Sequence, residues 1–365
     1  MRSSAPVPAN RSHRAPTLLA ALLALALAGA CAGRAGSAPP AAAPTPATDA
    51  AAGAAAGPTS VPTLPPDTHV TVAYPARVVT MTGFYIAVEQ GYTREEGLDA
   101  EMVMMNGTLS AQGIVAGQVD FGMSAGALVA ATLRGAPLKN VFVQIDKPLY
   151  SLFAQPEIQS IADLAGKPVG ITAVGDSTHL AAMAALSAGG VDPSEVTFIS
   201  GLNGSKALAG LQAGSVAAAV TSPPIDVNSE RLGYRNLAFL GDYLDYLTSG
   251  LGTHEETIRT RPALVRAVVR AELKAHRYMQ QDRAGTIAYM ARFEEVSPDD
   301  AAIAYDRYLR YLTPDGQSPP DRLERILTDQ RHEVGVDHPV PVDSVFDLRF
   351  ARQAAADLDR EGWQP

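Results

Sequence analysis

The sequence predicts an α/β protein whose last third is helical, and three observations lead to this prediction. Short β-branched or apolar segments alternate with helical segments from His69 to Leu240, as in βαβ units around a parallel sheet. From Arg261 onward the chain carries only helical patterns. The body that begins near Thr68 has about 300 residues, which is large for one hydrophobic core and natural for two lobes.

The first thirty residues predict a secretory signal. Residues 1–16 carry three arginines and no acidic residue, and Thr17–Ala30 is an unbroken apolar run rich in Leu and Ala. This run is shorter than the ~20 residues that a membrane-spanning helix needs. A basic start, a short apolar core and small residues at its end are typical of a cleaved signal peptide, here residues 1–30.

Cys31, the only cysteine of the chain, follows this run directly. Residues 27–31 resemble the lipobox of bacterial lipoproteins, in which the cysteine is acylated and becomes the mature N-terminus. Ala28 departs from the lipobox, where leucine is usual, and residues 28–30 also fit an ordinary signal-peptidase site. We therefore expect lipidation at Cys31, with secretion without a lipid as the open alternative.

Residues 31–67 are rich in Ala, Pro, Gly and Thr and nearly uncharged. Such a segment cannot bury enough apolar surface to offset the entropy of ordering, so it predicts a disordered tether behind the lipid. The formal net charge of the whole chain is −9, and no basic patch appears. Nucleic acid is therefore not an expected partner.

Period-two and apolar patterns predict nine strands, and 3.6-residue patterns predict the helices between and after them. The predicted strands are His69–Tyr74, Asp99–Met105, Val119–Ser124, Asn140–Ile145, Leu149–Ala154, Pro168–Thr172, Val196–Ile199, Val216–Val220 and Leu237–Leu240. Besides a helix from Ser177, the predicted helices are Gly83–Gly91, Ser110–Ala116, Ala127–Arg134, Ser205–Ala213, Pro262–Gln281, Arg283–Phe293, Ser297–Leu312, Pro320–Glu333 and Asp343–Glu361.

The stretch Gly170–Ala188 predicts a strand end, a glycine turn and an alanine-rich helix. We predict Ser177 as its N-cap, because a serine hydroxyl can accept a bond from an unpaired amide of the first turn. The free amides and partial positive charge of such a helix start can hold a polar or anionic ligand. A capped helix without any ligand explains the same pattern, so the turn indicates a site only if it faces a cleft.

Six segments occur in an order and spacing that resemble one protein family. They are Val72–Tyr74, Gly83–Val103, Asn106–Lys139, Leu164–Ser177, Gly189–Ser200 and Ala207–Pro224. The family is the extracytoplasmic solute-binding proteins of ABC importers of the nitrate, sulfonate and taurine type, and thiamine-pyrimidine synthases share its fold. The resemblance covers the chain from about Val70 to Arg270.

This resemblance implies a two-lobed type II periplasmic-binding-protein fold, with two crossing strands between the lobes and the ligand in the cleft. Residues 68–146 would begin lobe 1, residues 147–245 would form lobe 2, and residues 246–365 would return to lobe 1 and add the C-terminal helices. The crossings would fall near Ile145–Leu152 and Tyr243–Gly252. The implied protein is a monomer outside the cytoplasm, anchored through Cys31, that closes on a small solute, delivers it to permease subunits and needs no cofactor or metal.

In open α/β sheets the ligand lies beyond the carboxyl ends of the strands. The loops there are Arg77–Gly83, Asn106–Ser110, Ser124–Gly126, Gly175–Thr178, Leu202–Ser205 and Thr221–Pro224, which are rich in Ser, Thr, Asn and Gly. These residues offer neutral hydrogen-bonding groups and close backbone approach. At the family's contact positions we expect Thr80, Thr82, Asn106, Ser124, Gly126, Asp176, Ser177, Thr178 and Ser222, with Tyr85 as an aromatic wall.

Each of these residues also has an ordinary structural explanation, because Thr and Asn in turns often satisfy only their own backbone. Asp176 would repel a nitrate or sulfonate, so either its side chain points away or the ligand is neutral or cationic. Arg77 is the only strongly basic residue of these loops, and we expect it to face solvent. Loops this neutral argue against a ligand held mainly by a bidentate arginine.

Three functions compete at this point. A binding protein of an importer needs no group that changes protonation, and its solute could be nitrate, an alkanesulfonate, bicarbonate, a pyrimidine, an aromatic carboxylate or a flavin-like ring. A ligand sensor or scaffold would need a separate signalling partner. A relative of the thiamine-pyrimidine synthases would need the cysteine-rich iron-binding stretch of those enzymes, and the body after Cys31 has no cysteine. We therefore expect a binding protein and not an enzyme.

Overall fold

The computed structural model describes residues 64–365. The predicted signal peptide, Cys31 and most of the predicted tether lie outside these residues, so the structure does not bear on them. Leu64 already packs against the hydrophobic core of the body. Within the described part of the chain, no helix combines the length and hydrophobicity that a membrane span requires.

Ten strands and fourteen α-helices follow one another along residues 64–365. The strands are β1 (Thr68–Tyr74), β2 (Leu98–Met104), β3 (Phe121–Gly122), β4 (Leu138–Ile145), β5 (Ser151–Ala154), β6 (Pro168–Gly170), β7 (Thr197–Ile199), β8 (Ala218–Thr221), β9 (Arg235–Phe239) and β10 (Ser249–His254). The helices are α1 (Thr82–Glu89), α2 (Tyr92–Glu95), α3 (Gly107–Val115), α4 (Ala125–Leu133), α5 (Ser177–Ala188), α6 (Ser205–Gln212), α7 (Ile225–Arg231), α8 (Glu255–Thr260), α9 (Pro262–Gln281), α10 (Arg283–Glu294), α11 (Pro298–Tyr308), α12 (Pro320–Val334), α13 (Val342–Val345) and α14 (Arg349–Glu361).

The strands form two five-stranded sheets, one in each lobe. The sheet of lobe 1 has the order β2-β1-β3-β10-β4, and the sheet of lobe 2 has the order β7-β6-β8-β5-β9. The chain passes between the sheets at residues 146–150 and 243–248, the two crossing segments. This arrangement confirms the predicted two-lobed α/β fold with a helical C-terminal part.

The prediction of parallel sheets is wrong for one strand in each lobe. β10 runs antiparallel to β3 and β4, and β5 runs antiparallel to β8 and β9. Each of these strands is the first after a crossing segment. The chain therefore enters each sheet at the carboxyl ends of its parallel strands, which face the other lobe. The first strand after each crossing must then run in the opposite direction to those strands.

Several predicted elements differ in extent from the observed ones. The predicted helix Asp343–Glu361 is two helices, α13 and α14, because Phe346 forms a bridge with Asn140 of β4 and interrupts the helical hydrogen bonds. The predicted strand Val119–Ser124 pairs only at Phe121 and Gly122. By contrast, α9 has the predicted bounds, and Ser297 caps α11 as expected.

Charged side chains fix the two crossing segments to each other and to α12. Lys147 Nζ lies 2.8 Å from Asp245 Oδ1, and Arg325 of α12 donates to the same carboxylate at 2.8 Å. Arg322 of α12 donates to Asp146 at 2.8 Å. Burial alone would raise the pKa of Asp245, but the hydrogen bonds from Lys147 and Arg325 lower it. The carboxylate is therefore ionised at neutral pH and holds both segments.

Lobe 1 contains a buried carboxyl group without an ionic partner. Glu272 of α9 is 1% exposed, and its Oε2 has no hydrogen-bond partner. Its Oε1, together with the Gln144 amide, lies so close to the start of α1 that only glycine fits at position 83. Burial raises the pKa of the Glu272 carboxyl to about 8, so this group is largely protonated at neutral pH.

The raised pKa predicts a stability that falls as pH rises. The contribution of the Glu272 carboxyl to the free energy of unfolding is fully present below its pKa in the unfolded chain, about 4.3. It is lost as pH rises toward the pKa of this group in the folded protein. The Glu272→Gln variant keeps the shape without the titration. At pH 8 we expect it to be more stable than the wild type by on the order of 4 kcal/mol, and at pH 4 nearly equal, as measured by urea unfolding. The exposed Glu157→Gln change is the matched control. Equal pH slopes for wild type and Glu272→Gln would contradict this account.

Candidate functional site

A cavity of about 350 Å³ lies between the two sheets, where the crossing segments meet the ends of the strands. Lobe 1 contributes the loop after β1 and the starts of α3 and α4, and lobe 2 contributes the loop after β8. The lining residues are Pro75, Val78, Val79, Thr80, Met81, Gly107, Ser124, Gly126, Ala127, Leu149, Tyr150, Ser222, Pro223, Tyr246, Leu247 and Thr248. Both lobes and both crossing segments therefore contact anything held there.

Free hydrogen-bonding groups of the cavity lie at the start of α4. Ser124 precedes this helix, is 9% exposed, and its hydroxyl has no hydrogen-bond partner. The first-turn amides of a helix, here those of Gly126 and Ala127, have no intrahelical acceptor. A β-carbon at position 126 would lie 2.6 Å from the Leu247 carbonyl oxygen, so glycine is required for this close approach. The start of α4 can thus donate hydrogen bonds to a ligand oxygen.

Two tyrosines on the crossing segments form a neutral wall of the cavity. The Tyr150 hydroxyl lies 2.9 Å from Ser177 Oγ, at the start of α5 in lobe 2. Burial raises the pKa of Tyr150 and of Tyr246, so both phenols stay protonated in the physiological range. The wall offers aromatic surface and neutral hydroxyls but no charge.

The structure corrects the predicted N-cap of α5. The cap is Asp176, whose Oδ1 accepts from the amides of Thr178 at 2.9 Å and of His179 at 3.0 Å. Thr178 Oγ1 donates to the same oxygen at 2.6 Å and accepts from the Thr172 amide at 3.0 Å. Ser177 is the first helical residue, and its hydroxyl is free to meet Tyr150. An aspartate one residue earlier competes as a cap, because its carboxylate accepts more strongly than a hydroxyl.

The predicted ligand contacts divide into two groups. Thr80, Ser124, Gly126 and Ser222 line the cavity directly, and Ser177 reaches it through Tyr150. The other predicted contacts are outside the lining: Thr82 is buried, Tyr85 stacks on Phe293 at 4.7 Å, Asn106 caps α3 through the Leu109 amide at 3.0 Å, and Asp176 and Thr178 bond to the start of α5.

Some features of the site were not predicted. Tyr150, Tyr246 and Leu247 lie in the stretches assigned to the crossings, and an aromatic residue in such a stretch is the signal that could have identified them. The predicted loop Leu202–Ser205 does not line the cavity; Leu202 instead packs near Gly170 in lobe 2. Arg77 pairs with Glu295 and is half exposed, as expected for a residue that faces solvent.

The lining of the cavity is neutral, and acidic side chains lie near its tyrosines. None of its lining residues, as the structure describes them, carries a charged side chain. A second cavity of about 450 Å³ is lined by Gly175, Leu180, Leu244, Asp329, His332 and Glu333. Burial raises the pKa of Asp329 and of Glu333. Glu333 and Asp176 also act electrostatically on Tyr246.

Two sheets, two crossings and a cavity between them define the fold of the periplasmic solute-binding proteins. Residues 79–284, more than half of the chain, match the family described as NMT1/THI5-like. The chain belongs to this family, and the resemblance noted in its sequence is confirmed.

One curated relative matches over part of its length. The riboflavin-binding protein RibY of Chloroflexus aurantiacus is 26% identical over 205 residues, a match that covers 52% of this chain and 56% of RibY. The chain thus spans just over half of the length of this relative.

Solved structures with the same fold include binding proteins and an enzyme. The putative sulfonate-binding protein SsuA of Methylobacillus flagellatus has a TM-score of 0.68 at 16% identity, over 83% of this chain and 98% of that one. The nitrate-binding protein NrtA of Synechocystis PCC 6803 has a TM-score of 0.63 at 14% identity, over 81% and 90%. The desulfurization enzyme DszB has a TM-score of 0.60 at 16% identity, over 80% and 99%. Identities this low show the fold alone.

The cap at Asp176 has a measurable consequence. Asp176→Ala removes the acceptor for two first-turn amides, and we expect it to lower the free energy of unfolding by about 1–2 kcal/mol. Asp176→Asn keeps an acceptor oxygen and should stay within about 0.5 kcal/mol of the wild type. Thermal and urea unfolding of both variants test this. An Asn variant as destabilised as the Ala variant would show that the charge, and not the cap, is what matters.

Proposed function

We propose that this protein is the extracytoplasmic substrate-binding component of an ABC importer, and that it binds an uncharged heteroaromatic solute in the cavity between its lobes. The observation that carries the proposal is the composition of the lining. It combines two neutral tyrosines, apolar side chains and an unpartnered serine hydroxyl at a helix start, and none of the lining residues in the described part of the chain is charged.

A flat ring with carbonyl groups matches these features. Tyrosine rings pack against other aromatic rings in offset or edge-on arrangements, and Tyr150 and Tyr246 present such surface from both crossing segments. The Ser124 hydroxyl and the first amides of α4 are donors that a ring carbonyl can accept from. Val79, Met81 and Leu247 would cover the rest of the ring.

An anionic solute fits this cavity poorly. Oxyanions in proteins are usually held by arginine or lysine, and the described lining has neither. The nearby carboxylates of Asp176 and Glu333 would repel a negative charge. The nitrate and sulfonate named for structural neighbours are therefore not the ligands we propose here.

Among the solutes that remain, riboflavin is the best candidate. It is the ligand named for the relative RibY, and it is an uncharged heteroaromatic molecule with ring carbonyls. A cavity of about 350 Å³ falls at the small end of the range for pockets that hold ligands of drug size. We place the polar side arm toward the second cavity, where the carboxylates of Asp329 and Glu333 can accept hydrogen bonds from its hydroxyl groups.

A binding role accounts for the cavity better than a catalytic one. Its described lining contains no histidine, cysteine, lysine or carboxylate that could act as nucleophile or general base. The desulfurization enzyme among the structural neighbours shares the fold, and function is decided by the residues of the site. The predicted signal and lipobox support a position outside the cytoplasm, next to a permease. Sensing through a partner remains the alternative, and a permease and an ATPase encoded beside this protein would favour import.

Riboflavin should bind with one site per chain. Contact with tyrosine rings should quench the flavin emission in a saturable way, which a fluorescence titration measures. A phosphate on the side arm should weaken binding roughly tenfold or more, about 1.4 kcal/mol, because in the proposed orientation it would lie beside the carboxylates of Asp329 and Glu333. Alkanesulfonates and nitrate should not displace riboflavin. Displacement by a sulfonate, or no binding of any flavin, would contradict the proposal.

The Ser124 hydroxyl should contribute to affinity. Ser124→Ala removes one donor to a ligand carbonyl, worth about 1 kcal/mol, so we expect the Kd for riboflavin to rise roughly fivefold. Ser187→Ala, an exposed serine on α5, is the matched control. Isothermal titration of both variants provides the comparison. An unchanged Kd for Ser124→Ala would exclude the Ser124 hydroxyl as a ligand contact.

A further inference from the structure

A second connection between the lobes lies outside the cavity and the crossing segments. Helix α11 of the C-terminal part contacts α7 of lobe 2 through a buried carboxylate. Asp226 of α7 is 0% exposed, and Arg307 Nη1 donates to its Oδ2 at 2.7 Å. The hydroxyl of Tyr308, which is also fully buried, donates to the same oxygen.

Further contacts widen this connection. Arg307 also pairs with Glu230, and Arg231 pairs with Asp300, each pair joining α7 to α11. Phe239, at the end of β9, stacks on Tyr311 with ring centroids 4.3 Å apart. A β-carbon at position 241 would lie 2.3 Å from the Phe239 ring, so glycine at that position makes room for the stack.

The lobe 1 end of the connection is anchored to the sheet. Leu312 forms a bridge with Ile145 of β4, and the Thr313 amide donates to the Gln144 carbonyl at 2.9 Å. Tyr308 and Leu309 belong to the hydrophobic core of lobe 1, and Phe239 packs against that core. The end of α11 is therefore fixed to β4, and α7 is attached to it.

The lobe 2 end of this connection lies next to the cavity. The amides of Ile225 and Asp226 donate to the Ser222 carbonyl at 2.8 Å and 3.2 Å, and Ser222 and Pro223 line the cavity. Holding the Asp226 carboxylate therefore holds the loop that forms the lobe 2 wall. Arg307 and Tyr308 lie beyond residues 79–284, the part that matches the family.

We propose that Arg307 and Tyr308 are positioning residues for the ligand cavity, which keep the Ser222–Pro223 loop docked on lobe 1 whether or not a ligand is bound. A fully buried carboxylate needs a cation or hydrogen-bond donors. The Val227 amide of α7 donates to Asp226 Oδ1 at 2.8 Å, and the cation and the hydroxyl donor on Oδ2 come from Arg307 and Tyr308 of α11. The lobes are thus tied at this end of the cleft, and opening is confined to the part of the cleft away from α11. The inference rests on the proposed binding function, because it assigns the loop to the ligand.

Hydrogen exchange of the purified, ligand-free protein tests whether Arg307 and Tyr308 hold α7 against α11. In Arg307→Gln we expect the amides of residues 222–231 to exchange roughly tenfold faster than in the wild type, with exchange in β1 and β4 unchanged. Arg283→Gln is the matched control, because it breaks an exposed ion pair between α10 and α11 that does not reach α7. Arg307→Lys, which keeps the charge but has one nitrogen in place of the two that bind Asp226 and Glu230, should give an intermediate rate.

Ligand kinetics give a readout that a merely structural role would not change. We expect riboflavin to dissociate roughly tenfold faster from Arg307→Gln and at the wild-type rate from Arg283→Gln. If Arg307→Gln fails to fold, Tyr308→Phe replaces it, with a smaller change in the same direction. Exchange in residues 222–231 that equals the Arg283→Gln control overturns the inference, whether or not riboflavin binds. Faster exchange in Arg307→Gln, together with no flavin binding by the wild type, would overturn the proposed function but support the role of Arg307 in holding α7 against α11.

Discussion

The pairing of Lys147 with Asp245 connects the only two places where the chain passes between its sheets within the described residues. Arg325 of α12 also binds Asp245, and Arg322 of the same helix binds Asp146 in the first crossing, so the two crossings and a C-terminal helix form one charged junction. The geometry of the cavity depends on this junction. Leu149 and Tyr150 come from one crossing, and Tyr246 to Thr248 from the other. Fixing the crossings therefore fixes the tyrosine wall against which the loops of both lobes lie.

The chemistry of the site follows from the absence of charge in that wall. Acidic and basic residues are used around the cavity, at the junction and between α7 and α11, and the described lining keeps only neutral groups. Even Asp176, which precedes a helix start facing the cleft, uses its carboxylate to cap that helix. Recognition in such a cavity depends on ring packing and a few hydrogen bonds. A protein of the same fold whose cavity carries cationic side chains would select oxyanions instead. The fold therefore does not decide the class of ligand.

Much of the fold could be predicted because local patterns and global structure agree. The 3.6-residue pattern and the proline in its first turn gave α9 with its observed bounds, and the apolar run at Asn140–Ile145 indicated a covered strand. The direction of β5 and β10 could not be predicted, since it depends on whether the chain enters a sheet at the amino or the carboxyl ends of the other strands. The site was predictable only in part. Ser124 and Ser222 follow strand ends, where topology places ligands, whereas Tyr150 and Tyr246 reach the cavity only because two distant crossings lie side by side.

The most direct test is native mass spectrometry of the protein purified from the organism that makes it, before and after unfolding. The account predicts one uncharged heteroaromatic molecule per chain, retained by the folded protein, released on unfolding and identified by its mass as a flavin or a close analogue. A sulfonate, nitrate or other oxyanion retained in the same way would contradict the account, because it would require a cationic contact that the described lining does not provide.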